Sequence, residues 1–385
     1  MRENADVNFS DLLLLGQGSD LASERGVSCD GQLPPASHPD LVARARAARK
    51  TLGKDVLVLG HHYQRNEVIE FADITGDSFK LAQEAAKAED VPNIIFCGVH
   101  FMAESADILT SDKQSVILPD LAAGCSMADM ATANQVANCW SELEKIGVAE
   151  KVIPVTYMNS SAAIKSFTGE HGGTICTSSN AEAAMKWAFT QGEKILFLPD
   201  QHLGRNTAVL SLGLSLEDCV LWNPWKPLGG LTEEEIKNAK VILWRGHCSV
   251  HGRFSIDSVN EIRNRVPGVQ VLVHPECTHE VVSSADKIGS TEKIIQIVKE
   301  SPAGAKWAIG TELNLVQRIS QNNPDKEIYF LDKDICYCST MNRIDLPHLV
   351  WAMESLVNGR VVNQIRVDSQ VAKYSKLALE RMLAL

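Results

Sequence analysis

Short apolar runs of strand length alternate with amphipathic segments of helix length from about Pro39 to the end of this 385-residue chain. The first such runs are VLVLG at 56–60, IIFCG at 94–98 and SVILPD at 115–120. Continuous apolar strands followed by helices are typical of βα units, because the helices cover both faces of a parallel sheet. The alternation therefore predicts an α/β fold.

The same layout restarts twice along the chain. VLVLGHHYQ at 56–64, VIPVTYMNS at 152–160 and VILWRGHCS at 241–249 are each an apolar strand that ends in polar, reactive side chains. The repeat predicts three similar αβα domains of about 90 residues, a spacing far above that of a solenoid, and chance similarity among βα units is the alternative. The predicted division is an N-terminal extension (1–38), a first domain (39–124 with 336–385), a second (125–228) and a third (229–335).

Composition excludes some classes of protein. The formal net charge of -11 and the pI near 5.5 argue against binding of nucleic acid, which needs a basic surface. No stretch approaches the ~20 apolar residues of a membrane-spanning helix, and residues 1–11 lack the pattern of a secretory signal. We therefore expect a cytoplasmic protein without a membrane partner. Its ten cysteines are then expected as thiols, metal ligands or core residues rather than disulfides.

Three of these cysteines stand out by their position. Cys125, Cys248 and Cys338 each follow an apolar, strand-like run and lie beside small or polar residues. No pair of CxxC motifs is present, so a local zinc ribbon is not predicted. Parallel sheets bind ligands beyond the carboxyl ends of their strands, so three converging sheets would bring these thiols together. Three thiolates on a cluster of four irons would leave one iron free to bind substrate.

Two other kinds of metal protein remain open at this point. An iron-sulfur redox sensor or electron carrier would use four ligands, with Cys277 or Cys336 as the fourth. A zinc hydrolase would combine thiolates with His251 or His274 and activate a water molecule.

A series of short motifs follows in a defined order from about residue 40 to the end of the chain. They are GHHYQ (60–64), GDS (76–78), AGCSMADM (123–130), YMNSSAAIKS (157–166), CTSSNA (176–181), PDQHLGRNT (199–207), GHCSVH (246–251), HPEC (274–277), GST (289–291), GTE (310–312) and CYCSTM (336–341). Any one of them is uninformative by itself. Together and in this order they resemble the quinolinate synthase family, in its longer-spaced version with an enlarged second domain near 205–235.

The resemblance implies three αβα domains in a pseudo-threefold arrangement around a central cluster site. It implies the condensation of iminoaspartate with dihydroxyacetone phosphate to quinolinate, with loss of phosphate and water, in the de novo biosynthesis of NAD. Such an enzyme is a transferase of EC class 2.5.1 with one 4Fe-4S cluster, three cysteine ligands and one open iron. A functional link to L-aspartate oxidase, which supplies iminoaspartate, is implied by the pathway.

The resemblance also implies the ligands of the cluster. Cys125 in AGCSM and Cys248 in GHCSV match two of the family's ligands. Both Cys336 and Cys338 are candidates for the third, and Cys338 fits the family's Cys-x-x-Met arrangement with Met341. Thiols two residues apart in an extended strand point to opposite faces, so only one of the two would face the cluster.

The substrate-binding residues implied by the family are His61, Ser78, Tyr157, Asn159, Ser178, His274, Glu276 and Thr291. Hydroxyls, an amide and imidazoles can satisfy two carboxylates and a phosphate. We expect His61 and Tyr63 to assist proton transfers and Glu276 to act as the general base. Without the family, a histidine at a strand end is more often structural. His62 and Ser179 are the neighbouring alternatives to His61 and Ser178.

Overall fold

The computed structural model describes residues 38–333 and 337–385, and the fold is described over these two ranges. Within them the strands are β1 (Val56–His61), β2 (Ile74–Gly76), β3 (Asn93–Cys97), β4 (Ser115–Ile117), β5 (Val152–Tyr157), β6 (Thr174–Cys176), β7 (Lys194–Leu198), β8 (Cys219–Trp222), β9 (Val241–Trp244), β10 (Gln270–Val273), β11 (Lys287–Ile288), β12 (Lys306–Gly310), β13 (Glu327–Phe330) and β14 (Gln364–Ile365).

The α-helices of the same residues are α1 (Leu41–Leu52), α2 (Asn66–Ile69), α3 (Ser78–Lys87), α4 (His100–Leu109), α5 (Ala133–Lys145), α6 (Ala162–Glu170), α7 (Ala181–Gln191), α8 (Gln201–Asn206), α9 (Glu233–Asn238), α10 (Ile256–Arg265), α11 (His279–Ser284), α12 (Thr291–Glu300), α13 (Leu313–Asn322), α14 (Leu346–Val357) and α15 (Ser369–Ala384). None of them combines the length and the apolar character needed to cross a membrane. The predicted extension, apart from residue 38, and Cys336 lie outside the described residues.

The strands form three sheets. The first has the order β14-β4-β3-β1-β2, the second β6-β5-β7-β9-β8 and the third β11-β10-β12-β13. Every pairing is parallel except that of β14 with β4. The prediction of an α/β protein built from three parallel-dominated units is therefore confirmed. The pseudo-threefold relation and the boundaries of the first domain stay predictions.

Strand β9 joins a different sheet from the one that the repeat in the sequence suggested. The proposed division places residues 229–335 in the third domain, but β9 pairs with β7 and β8 and so completes the second sheet. All four of its residues are buried, as expected of an interior strand. An apolar run shows that a strand is buried, but it does not show which strands will be its neighbours.

The apolar core distinguishes the third sheet from the other two. One continuous cluster contains Ile95 of β3 and Phe197 of β7, so the first and second sheets share a core. On β10, Val271 and Val273 pack into one cluster and Leu272 packs into another. The third sheet therefore has a covered core on each face, because successive strand residues point to opposite sides.

The C-terminal helix α15 packs against α6, which follows the first strand of the second sheet. The two helices approach closely at Gly169, where a Cβ atom would overlap the carbonyl oxygen of Tyr374. Ser375 of α15 also donates a hydrogen bond of 2.8 Å to the carbonyl of Ala162. The end of the chain is thereby held against the second sheet, beside the segment that carries Tyr157.

Candidate active site at the junction of the three sheets

A cavity lies where the carboxyl ends of strands from all three sheets meet. His61 is the last residue of β1, Tyr157 is the last residue of β5, and His274 directly follows β10. Ser78 and Thr291 enter the cavity from the first turns of α3 and α12. This is the edge at which parallel sheets bind their ligands.

All the residues predicted from the sequence for the site line this one cavity. They are His61, Tyr63, Ser78, Cys125, Tyr157, Asn159, Ser178, Cys248, His274, Glu276, Thr291 and Cys338. The structure thus brings together side chains that lie far apart in the chain. Beside the cavity, the side-chain amide of Gln64 donates a hydrogen bond to the backbone carbonyl of Met341, 277 residues away. The chemical role of each residue remains a proposal.

Three thiols converge on the cavity from separate loops. Burial raises the pKa of Cys125 to about 12, the backbone amides of Met127 and Ala128 oppose the shift, and Cys338 adds to it. Burial also raises the pKa of Cys248 well above its usual value, and Glu276 adds to this shift. Thiols in such surroundings stay protonated unless a cation stabilises their thiolates.

The donor set fits a metal group that takes three thiolates. Besides Cys125, Cys248 and Cys338, no other cysteine of the described residues lines the cavity. Cys277 is buried nearby, but its sulfur faces the carbonyl of Gly310 at 3.8 Å. Within residues 38–333 and 337–385, a fourth thiolate is therefore not in place.

Glu276 lies at the centre of the polar wall. Its Oε1 accepts a hydrogen bond of 2.5 Å from the Tyr157 hydroxyl, and its Oε2 lies 2.9 Å from Nδ1 of His251. Burial acts to raise the pKa of Glu276, but the neighbouring imidazoles and these two hydrogen bonds outweigh it and lower the pKa. Burial lowers the pKa of His274 to about 3, so His274 is neutral at pH 7. The ionised carboxylate is consequently held mainly by His251 and Tyr157.

His251 extends this arrangement toward the first sheet. Its ring stacks on His274 with centroids 4.4 Å apart, and its Nε2 lies 3.2 Å from the Thr311 hydroxyl. Thr311 is 3.0 Å from the Tyr63 hydroxyl. A continuous series of hydrogen bonds therefore joins Tyr157 to Tyr63 by way of Glu276, His251 and Thr311.

His251 and Thr311 were not among the predicted site residues. His251 closes the GHCSVH motif and Thr311 lies in GTE, so motif membership was the available signal. The donor atoms of Cys248, His251 and Glu276 lie within 4.8 Å of one another, which makes these three a compatible set of metal ligands. The contact of His251 with Glu276 was hidden because the two residues are 25 positions apart in the chain.

The structure distinguishes His61 from its neighbour His62. His61 lines the cavity and its Nδ1 accepts from the backbone amide of Tyr63 at 3.1 Å, whereas His62 pairs with Glu292 at 2.8 Å. Burial lowers the pKa of His61 to about 3, so this ring is also neutral at pH 7.

Ser178 and Ser179 separate in the same way. Ser178 lines the cavity with its hydroxyl 3.2 Å from Nε2 of His274. Ser179 instead donates a hydrogen bond of 3.0 Å to Asp77, which caps α3.

Two buried oxygens in the cavity wall lack a hydrogen-bond partner among the described residues. They are Oδ1 of Asn159 and Oε1 of Glu312. Burial raises the pKa of Glu312 to about 8, so it is mostly protonated at pH 7. Buried polar atoms are nearly always paired in folded proteins, so both atoms are well suited to contact a bound molecule.

Comparison with known proteins identifies the family. A family model described as "Quinolinate synthetase A protein" matches residues 43–384. The chain belongs to the quinolinate synthase family. A quinolinate synthase from Streptomyces coelicolor is 69% identical over 376 residues, which cover 97% of this chain and 95% of the relative.

More distant quinolinate synthases match over nearly the same length. The enzyme from Corynebacterium glutamicum is 55% identical and covers 91% of this chain and 88% of the relative. The one from Bacillus subtilis is 52% identical and covers 91% of this chain and 94% of the relative. The assignment to the quinolinate synthase family made from the ordered motifs is thus confirmed.

Proposed function

We propose that this chain condenses iminoaspartate with dihydroxyacetone phosphate to form quinolinate, with loss of phosphate and water. The observation that carries the proposal is the convergence of three thiols and a hydrogen-bonding wall on one cavity at the junction of the sheets. Cys125, Cys248 and Cys338 would hold a 4Fe-4S cluster. When bound, such a cluster supplies a Lewis-acidic iron that has no protein ligand and can polarise a carboxylate or hydroxyl.

The polar wall supplies the groups that bind the substrates. Ser78, Ser178 and Thr291 present hydroxyls to the cavity, and Asn159 presents an unpaired amide oxygen. Hydroxyl donors can satisfy carboxylate and phosphate oxygens, and the amide oxygen can accept from a hydroxyl or an amine. The neutral ring of His274 can donate or accept according to its tautomer, so it too can orient a substrate.

Glu276 is the proposed general base. The carboxylate is ionised at pH 7, as a base must be, but its two hydrogen bonds reduce its basicity. If the Tyr157 hydroxyl turns to a bound substrate, Glu276 loses one donor and its pKa rises. Binding would then strengthen the base at the moment when it is needed.

His61 and Tyr63, at the end of strand β1, are the proposed partners for proton transfer. The His61 Nδ1 accepts from the Tyr63 backbone, so its ring proton resides on Nε2. Burial raises the pKa of the Tyr63 hydroxyl well above its usual value, which keeps it a neutral donor. The bonds through Thr311 and His251 connect this hydroxyl to Glu276.

We further propose the wider assignments that accompany this activity. The enzyme would be a transferase of EC class 2.5.1, with a functional link to L-aspartate oxidase as the source of iminoaspartate. It would be cytoplasmic, in keeping with the free thiols of all eight cysteines that the structure describes.

A zinc enzyme is the second candidate, and it has a specific observation in its favour. Cys248, His251 and Glu276 offer a thiolate, an imidazole and a carboxylate within reach of one ion. Zinc accepts all three ligand types and can activate water at an open position.

An anaerobic assay distinguishes the candidates. Quinolinate formation from dihydroxyacetone phosphate and freshly generated iminoaspartate is measured, with iron, sulfide and zinc counted in the same sample. Product with about four irons per chain supports the proposed enzyme. A full cluster without product would favour an iron-sulfur redox sensor or electron carrier. Stoichiometric zinc in a colourless sample would favour the zinc enzyme.

A further inference from the structure

Lys165 carries a wholly buried ammonium beside the cavity. The residue lies on α6 and has no exposed surface. Its Nζ donates hydrogen bonds to the carbonyls of Ser160 at 2.6 Å and Phe101 at 3.3 Å, and it lies 5.2 Å from the centroid of the Phe101 ring. Among the described residues, no carboxylate oxygen lies within 4.0 Å of this ammonium, the distance that defines an ion pair.

Both carbonyls belong to segments that form the cavity. Ser160 follows the loop that carries Asn159, and its hydroxyl donates to the carbonyl of Tyr157 at 2.8 Å. Phe101 lies in the first turn of α4, beside the first sheet, and lines the cavity. Lys165 therefore ties a segment of the second sheet to a segment of the first, at the wall where the substrates would bind.

Among the described residues, the cavity lining contains no lysine or arginine. Of its three histidines, His61 and His274 are neutral at pH 7, and His251 pairs with Glu276. The proposed contents are anionic: a cluster bound by three thiolates, and substrates with carboxylates and a phosphate. Burial lowers the pKa of Lys165 to about 8 while Glu104 and Cys125 act in the opposite direction, so the ammonium is largely charged at pH 7.

We propose that Lys165 is a positioning residue whose ammonium holds the Asn159 loop against Phe101 and balances the negative charge of the thiolate-bound group at Cys125. This inference rests on the proposed function, since it needs an anionic cluster in the cavity. A buried ammonium without a carboxylate partner is costly, and a nearby anionic group offsets that cost.

The proposal predicts a change in the cluster that a merely structural lysine would not cause. Net charge near an iron-sulfur cluster sets its reduction potential. Removing a positive charge favours the oxidised cluster, which carries less negative charge than the reduced one. The midpoint potential should therefore become more negative when Lys165 is neutralised.

The test compares anaerobically purified wild type with Lys165→Met, which has a similar length and no charge, and with Lys165→Arg, which keeps the charge. Lys186→Met is the matched control, because Lys186 is exposed on α7 and pairs with Glu182. If the methionine variant does not fold, Lys165→Gln is used, because its amide can still donate to the Ser160 carbonyl. Iron and sulfide content, the midpoint potential from a reductive titration, and KM and kcat are measured for each.

We expect the neutral variants to retain the cluster, with a more negative potential and a raised KM for dihydroxyacetone phosphate, and the arginine and Lys186 variants to match wild type in potential. A neutral variant with the wild-type potential and KM would overturn the role of Lys165 while leaving the proposed function intact. Wild type without iron or product would overturn both.

Discussion

Replacement of Glu276 by glutamine tests the centre of the proposed mechanism. The carboxylate is 3% exposed and uses its two oxygens for two donors, the Tyr157 hydroxyl and His251. Glutamine has almost the same shape but only one carbonyl oxygen, so one of the two donors would face the amide NH₂ group. The substitution also removes the negative charge and the capacity to accept a proton at neutral pH.

The structure allows the two effects of this change to be compared. Loss of a hydrogen bond to a buried charged group costs about 1.5–3 kcal/mol of unfolding free energy, which an ordinary domain tolerates. Loss of a general base lowers kcat by about 10²–10⁴-fold, or roughly 3–5 kcal/mol in the activation free energy. We therefore expect a folded protein that keeps its cluster and loses turnover.

The assay is anaerobic kcat and KM for quinolinate formation, with iron and sulfide measured in the same sample. Glu280→Gln is the control, because Glu280 is exposed on the neighbouring helix α11. A Glu276→Gln enzyme with a full cluster and a kcat close to that of wild type would refute the role of Glu276 as the base.

Three further predictions follow from the same structure. Cys338→Ala should abolish the visible absorbance of the cluster while Cys336→Ala leaves most of it, because Cys338 lines the cavity; the reverse ranking would make Cys336 the ligand. His61→Asn should reduce the loss of stability in acid. The pKa of His61 is lowered from 6.5 to about 3, so between these pH values the unfolded protein binds a proton that the folded protein does not. The unfolding free energy of the wild type therefore decreases as the pH falls through this window. Urea titrations at neutral and acid pH measure the unfolding free energy of wild type and variant, and the wild type should lose up to several kcal/mol more in acid. Equal losses of unfolding free energy in the two proteins would contradict this prediction. Gly169→Ala should lower the unfolding free energy by about 1–3 kcal/mol, because the new methyl group overlaps the Tyr374 carbonyl; an unchanged urea midpoint would show that α15 adjusts without cost.

Local patterns in the sequence were sufficient to predict much of the fold. The predicted strands at 56–60, 94–98 and 115–120 correspond to β1, β3 and β4, because a buried parallel strand reads as a continuous apolar run. The short strand β2 (Ile74–Gly76) was missed, because its sequence ITG contains no apolar run. The sheet to which β9 belongs also differed from the prediction, because strand pairing is a long-range choice that a local pattern does not encode.

The site shows the same division between local and long-range information. Motif order brought Tyr157, Glu276 and Tyr63 to attention, but not the residues that connect them. His251 became part of the site only through its contacts with Glu276 and Thr311. Such contacts join side chains from different strand ends, and their distances depend on how three sheets pack together.

By itself, the sequence determined the alternation of strands and helices, the three-unit architecture and membership of the quinolinate synthase family, because periodicity and ordered motifs are properties of the chain. Only the tertiary structure decided that Cys125, Cys248 and Cys338 share one cavity, and that Lys165 lies buried beside it with two carbonyls as its partners. The physical reason is that burial and hydrogen bonding depend on distances in space, which strand pairing and helix packing set after the local elements have formed.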